Sequence, residues 1–212
     1  MSQLMIIVGS TRPGRAGLPI ARWFTDRARA HGGFDVTVVD LAELALPLLD
    51  EPNIPRLGQY TRQHTRDWST RVTAADAVVF VTPEYNFGYP ATIKNAIDYL
   101  HVEWHHKPVG FVSYGGIAAG TRAVQQLKQV VTTLRMVPAV EAVHIAWHPR
   151  FISDGQFHAD ETMAQAAAAM LDELARLEPA LRPLRRPELV GGGTVVNRGP
   201  NGAQSPTARP AG

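Results

Sequence analysis

The 212-residue chain contains no cysteine. Disulfide scaffolds, thiolate zinc sites, iron–sulfur clusters and thiol nucleophiles are excluded together, and the composition suits a reducing cytosol. A marked excess of either charge is missing as well. The 21 Lys and Arg against 19 Asp and Glu leave a formal +2, which gives no electrostatic footprint for nucleic acid. No apolar run approaches the ~20 residues of a membrane-spanning helix. Met1–Gly9, short and without a basic flank, does not read as a signal peptide. What remains, 45% hydrophobic with 19% charged residues, is the composition of a globular protein. At about 150 residues per domain, the length predicts one domain with additional chain. The expectation is a soluble cytoplasmic protein with no membrane or nucleic-acid partner.

Short apolar runs alternate with segments of helical period, the βαβ pattern of a parallel sheet. The runs are Leu4–Val8, Val36–Val39, Ala77–Val81, Val109–Val112 and Val140–Ile145. They are rich in Val and Ile and apolar on both faces, as strands covered on both sides should be. Between them, Ile20, Trp23, Phe24 and Ala28 form one helical stripe, with Pro19 tolerated in its first turn. Ile93, Ala96, Ile97, Leu100 and Trp104 form a second; Val124, Leu127, Val131 and Leu134 a third; Met163 to Leu177 the clearest; and Tyr60–Ala75 a weaker one. Five strands with crossover helices predict a doubly wound, three-layer α/β/α sandwich. Pro179, Pro183 and Pro187 are expected to break regular structure, so the folded domain is placed at 1–180. The Pro/Gly-rich segment 181–212 reads as a disordered tail.

In such a sheet, ligands bind beyond the carboxyl ends of the strands. The first of these loops, Gly9-Ser10-Thr11-Arg12-Pro13-Gly14-Arg15, enters a helix whose N-terminus favours an anion. Ser10 adds a hydroxyl, and Arg12 and Arg15 can fork onto phosphate oxygens. Two familiar phosphate loops fail here. Arg15-Ala16 replaces the Lys-Ser/Thr of a P-loop, and no G-x-G-x-x-G follows the strand. Asp40 then reads as a polar strand end. The second loop sets Tyr85, Phe87 and Tyr89 among Asn86 and Gly88, after Pro83 and Glu84, a composition suited to a planar ligand. The third, Ser113-Tyr114-Gly115-Gly116, lets backbone approach a ligand closely.

In this order and spacing the loops resemble the NADPH-dependent FMN reductase family, which includes quinone, azo-dye and chromate reductases. Leu46-Pro47-Leu48-Leu49-Asp50-Glu51-Pro52 and Ile93-Lys94-Asn95-Ala96 add to the likeness, which spans roughly residues 4–150. The resemblance implies a flavodoxin-like fold with a five-stranded sheet in the order 2-1-3-4-5. It implies non-covalent FMN with its phosphate on Ser10, Arg12 and the following helix, Pro83, Glu84, Tyr85 and Asn86 along the isoalloxazine, and Ser113, Tyr114, Gly115 and Gly116 at the pyrimidine edge. NADPH or NADH would reduce the flavin, and a small-molecule electron acceptor would then take the nicotinamide's place in a ping-pong cycle. A homodimer or homotetramer is implied, with no catalytic acid or base. Two departures stand out. Arg15 replaces the Ser or Thr of many members, as a phosphate donor or toward the extra phosphate of NADPH, and Gly17 replaces a polar side chain.

Rival readings are a flavodoxin-like electron carrier, which the balanced charge disfavours, and a non-redox module holding a phosphorylated ligand. His101, His105, His106 and Glu103 lack the His-Glu-x-x-His order of a zinc site, so no metal is expected. Tyr89 and Lys94 are one residue too far apart for a short-chain dehydrogenase pair, and Glu84 is expected to fix local geometry.

Overall fold

A computed structural model describes residues 1–185. The chain runs β1 (Ser2–Val8), α1 (Gly17–His31), β2 (Phe34–Asp40), α2 (Leu41–Leu44), α3 (Gln63–Ala74), β3 (Ala77–Pro83), α4 (Ala91–Asp98), β4 (Pro108–Tyr114), α5 (Thr121–Thr133), β5 (Val137–Pro138), β6 (Val143–Ile145), the hairpin β7 (Ile152–Ser153) and β8 (Gln156–Phe157), and α6 (Glu161–Arg185). The main sheet is parallel in the order β2-β1-β3-β4-β5, with β6 also on β4. This is the doubly wound sandwich expected from the alternating pattern.

Strand side chains point alternately to two faces, and each face has its own core. Leu4, Ile6, Val8, Val79 and Val81 pack with Ile20 and Phe24 of α1 and Met170 and Leu174 of α6. Met5, Ile7, Val78, Phe80 and Phe111 pack with Trp68 of α3, Ile97 of α4 and Leu127 of α5. Burial of both strand faces explains why the sequence shows continuous apolar runs instead of alternation.

Three local expectations are corrected. The fifth strand is not one run over Val140–Ile145 but two short pieces on β4, Val137–Pro138 and Val143–Ile145; Val137 and Ala139 donate to β4, so Pro138, whose nitrogen faces away from it, is tolerated at the sheet edge. The second helical stripe is interrupted. The α4 helix stops at Asp98, and Trp104 belongs to a separate 3-10 turn flanked by His101 and His105, whose rings lie 4.8 Å apart. Finally, α6 passes through Pro179 and Pro183 to Arg185. Proline there forfeits a backbone bond, but tertiary contacts hold the helix end. Buried Glu178 accepts from Ser2 Oγ (2.9 Å) and Arg182 (2.6 Å) and pairs with Arg185, which also donates to the Asp76 carbonyl (2.6 Å). Pro187 and most of the tail reading at 181–212 lie outside the described residues.

Candidate functional site

All three loops lie at the carboxyl end of the parallel strands, and direct contacts tie them together. Ser10, fully buried just past β1, shares a 2.7 Å hydrogen bond with the Tyr85 hydroxyl of the second loop. The Glu84 N–H donates to the Tyr114 carbonyl at 3.1 Å, and the Gly9 carbonyl accepts from Thr92 Oγ1 at 2.6 Å. The sheet order makes this convergence possible, because β3 lies between β1 and β4.

The first loop prepares an anion site. Helix α1 begins without a side-chain cap: Ala16 precedes it, and its first turn carries no acid. Its leading N–H groups therefore lack partners and carry the positive end of the helix dipole. Two further donors there are buried and unpartnered, the Tyr114 hydroxyl and Arg15 Nε. Arg12 is exposed and enters no ion pair among the described residues. Arg15 is not a spare cation, because its guanidinium pairs with buried Asp40. Asp40 also caps α2, accepting from the Ala42 N–H at 2.9 Å. An anion of phosphate size would satisfy the open donors, so the residues present fit an FMN phosphate.

The second loop is a two-residue hairpin. Tyr85 and Gly88 exchange backbone bonds of 2.8 and 2.9 Å, and Asn86 and Phe87 both have positive φ, 48° and 73°. Asn tolerates that region, whereas Phe87 is strained in it. The tip is pinned by the start of α5: the Arg122 guanidinium lies 3.7 Å above the Phe87 ring, and Gln126 donates to the Phe87 carbonyl at 3.2 Å. Arg122 also pairs with the well-buried Glu84 carboxylate, whose other oxygen accepts from the Arg122 N–H at 3.2 Å. Glu84 is thus committed to holding the loop in place.

In the third loop, Ser113 is buried, and its hydroxyl proton goes to the Ala119 carbonyl (2.8 Å). The 2.7 Å contact to His144 Nδ1 is then donated by the imidazole. Burial, with Lys128 nearby, lowers the His144 pKa and favours this neutral donor. The Ser113 side chain is therefore spent on loop shape. Gly115 donates its N–H to the Ile145 carbonyl (3.1 Å), and the Gly116 carbonyl accepts from Trp147 (3.1 Å). Trp147, near Gly116, and Ile117 are exposed.

Sequence reasoning missed Gly120, Arg122 and His144. Arg122 and His144 act only through contacts distant in sequence, so no local spacing announced them. Gly120 had a local signal, standing immediately before the helical stripe of α5. The His101–His106 cluster lies near the start of β4, at the opposite end of the sheet. Among the described residues no group of three or more candidate ligands could hold a metal ion.

Fold and site together define a flavodoxin-like α/β protein with a phosphate-ready helix end at the same end of the sheet as loops carrying exposed Tyr85, Phe87 and Trp147. The family model described as NADPH-dependent FMN reductase matches residues 2–148. An NAD(P)H-dependent FMN reductase of Schizosaccharomyces pombe is 43% identical over 136 residues, covering 63% of this chain and 68% of the relative. An FMN-dependent NADPH-azoreductase of Staphylococcus haemolyticus is 28% identical, covering 78% of this chain and 89% of the relative. Among solved structures, the flavoenzyme NAD(P)H:(acceptor) oxidoreductase FerB of Paracoccus denitrificans superposes with a TM-score of 0.68 at 22% identity, covering 85% of this chain and 99% of that one. The chain belongs to the NADPH-dependent FMN reductase family and is an oxidoreductase that uses FMN with NAD(P)H.

Proposed function

We propose that the chain reduces quinones, free flavins or similar small acceptors by two electrons at the expense of NAD(P)H, in a ping-pong cycle. One observation carries this reading: the uncapped end of α1, with donors that are buried and unpartnered among the described residues, lies at the same end of the sheet as the Tyr85–Gly88 hairpin and the Gly115–Gly116 turn. When bound, FMN supplies the redox chemistry between nicotinamide and acceptor. The protein's own task is placement. Ser10, Arg12 and the α1 N-terminus hold the phosphate, the hairpin from Pro83 through Asn86 borders the ring, and backbone of the Ser113–Gly116 segment meets its polar edge.

Neither Glu84 nor Ser113 is available for proton transfer, because both are engaged within the loops. In the ping-pong cycle donor and acceptor use one face of the flavin in turn, and steady-state rates should give parallel double-reciprocal lines. Intersecting lines would contradict it. A carrier that exchanges electrons through protein docking is disfavoured by the +2 charge. The exposed Phe87, Ile117 and Trp147 side chains suit cover by a second copy, in the homodimer or homotetramer that the family likeness implies, and the cysteine-free composition suits the cytoplasm. Sedimentation velocity tests the assembly.

A further inference from the structure

Tyr114 presents an unspent hydroxyl at a crowded place. The residue is 3% exposed, and its oxygen, close to the Ser10 hydroxyl, is buried without a well-formed hydrogen bond among the described residues. Such a group carries an uncompensated desolvation cost unless something accepts its proton. It aims at the first residue of α1, since a Cβ built on Gly17 would stand 2.6 Å from the Tyr114 oxygen and 3.7 Å from Ser10 Cβ. Position 17 can therefore carry no side chain while the tyrosine is in place.

We infer that Tyr114 donates its hydroxyl to the phosphate of FMN, supplying from β4 a contact at the start of α1 that no side chain at position 17 can make, and so selects FMN over riboflavin. This rests on the FMN reading above. Burial, with the neighbouring Tyr85, raises the Tyr114 pKa, so the phenol keeps its proton and acts as a donor throughout the working pH range. The assignment differs from the one implied by the family likeness, which sets Tyr114 at the pyrimidine edge. The backbone of the third loop still passes that edge, while the side chain reaches back to the helix end.

The test compares FMN and riboflavin binding to the full chain by flavin fluorescence. Tyr114→Phe should weaken FMN by about tenfold or more, the range for a hydrogen bond to a charged group, and leave riboflavin unchanged. Without flavin, the variant should melt at or slightly above the wild-type temperature, because it loses an unsatisfied hydroxyl. Its FMN-induced rise in melting temperature should shrink. Adding Gly17→Ser should recover part of the FMN affinity, since the nearest remaining ring atom, Cζ, is 3.4 Å from the new Cβ. An unchanged FMN-to-riboflavin ratio, as expected if a water satisfies the hydroxyl, overturns the inference alone. So does equal loss of both flavins. A wild-type chain that binds neither flavin overturns the FMN reading and this inference with it.

Discussion

Gly120 has φ of +82°, and a Cβ there would lie 2.8 Å from Ser113 Cβ and 2.9 Å from the Tyr114 N–H nitrogen. Both the backbone conformation and the space demand glycine. Gly120→Ala should destabilise the fold by about 2 kcal/mol or more, through strain plus overpacking, and chemical denaturation should show it as a lower midpoint. Arg12, exposed and unpaired, makes a different prediction. Arg12→Ala should leave stability within about 0.5 kcal/mol and weaken FMN by about 1.5–3 kcal/mol, the value of a hydrogen bond to a charged partner. An unchanged FMN titration would remove Arg12 from the phosphate site.

Lys107, at the amino end of the sheet, is a third case at this scale. Burial lowers its pKa to about 7, with Arg185 adding to the effect and Asp76 and Glu103 opposing it. Between about 7 and the ordinary 10.5 the unfolded chain holds a proton that the folded chain has released, so stability rises with pH across that interval. Lys107→Met should flatten the rise, as read from urea midpoints across the same pH range. Of the residues proposed for the site, Ser10 and Arg12 were legible because a strand-to-helix turn restricts what such side chains can do. The destination of Arg15 was not, because its partner Asp40 ends a different strand.

Elements show where local pattern is outweighed by tertiary contact. Proline at 179 and 183 predicts a helix end from local rules alone. The helix nevertheless continues because Glu178, 2% exposed, gathers Ser2, Arg182 and Arg185 around one carboxylate. Glu178→Ala would leave the largely buried Arg185 facing only Asp76, and the expected cost is about 3 kcal/mol. Unfolding of the variant and a rise in amide exchange confined to the end of α6 would both follow. The split fifth strand is a second case. Its apolar residues were visible, but which of them pair with β4 is set by contacts distant in sequence.

For the molecule as a whole, periodicity was enough for the sandwich, because two-sided burial writes itself as continuous apolar runs separated by helical stripes. Three loop motifs in order were enough for the family. The joint between loops was not legible, since the Ser10–Tyr85 bond and the Glu84–Arg122 pair link residues far apart along the chain. The same joint bears on chemistry. A site held rigid by internal pairs, with its donors left open toward one anion, is pre-organised for a resident flavin and for small partners that come and go. The most direct measurement is the visible absorbance of the purified full chain loaded with FMN, followed anaerobically after one equivalent of NADPH. Rapid bleaching of the flavin band without any partner protein, and its return when a quinone is added, is the expected result. A chain that retains no FMN, or one whose bound flavin stays oxidised under NADPH, would contradict it.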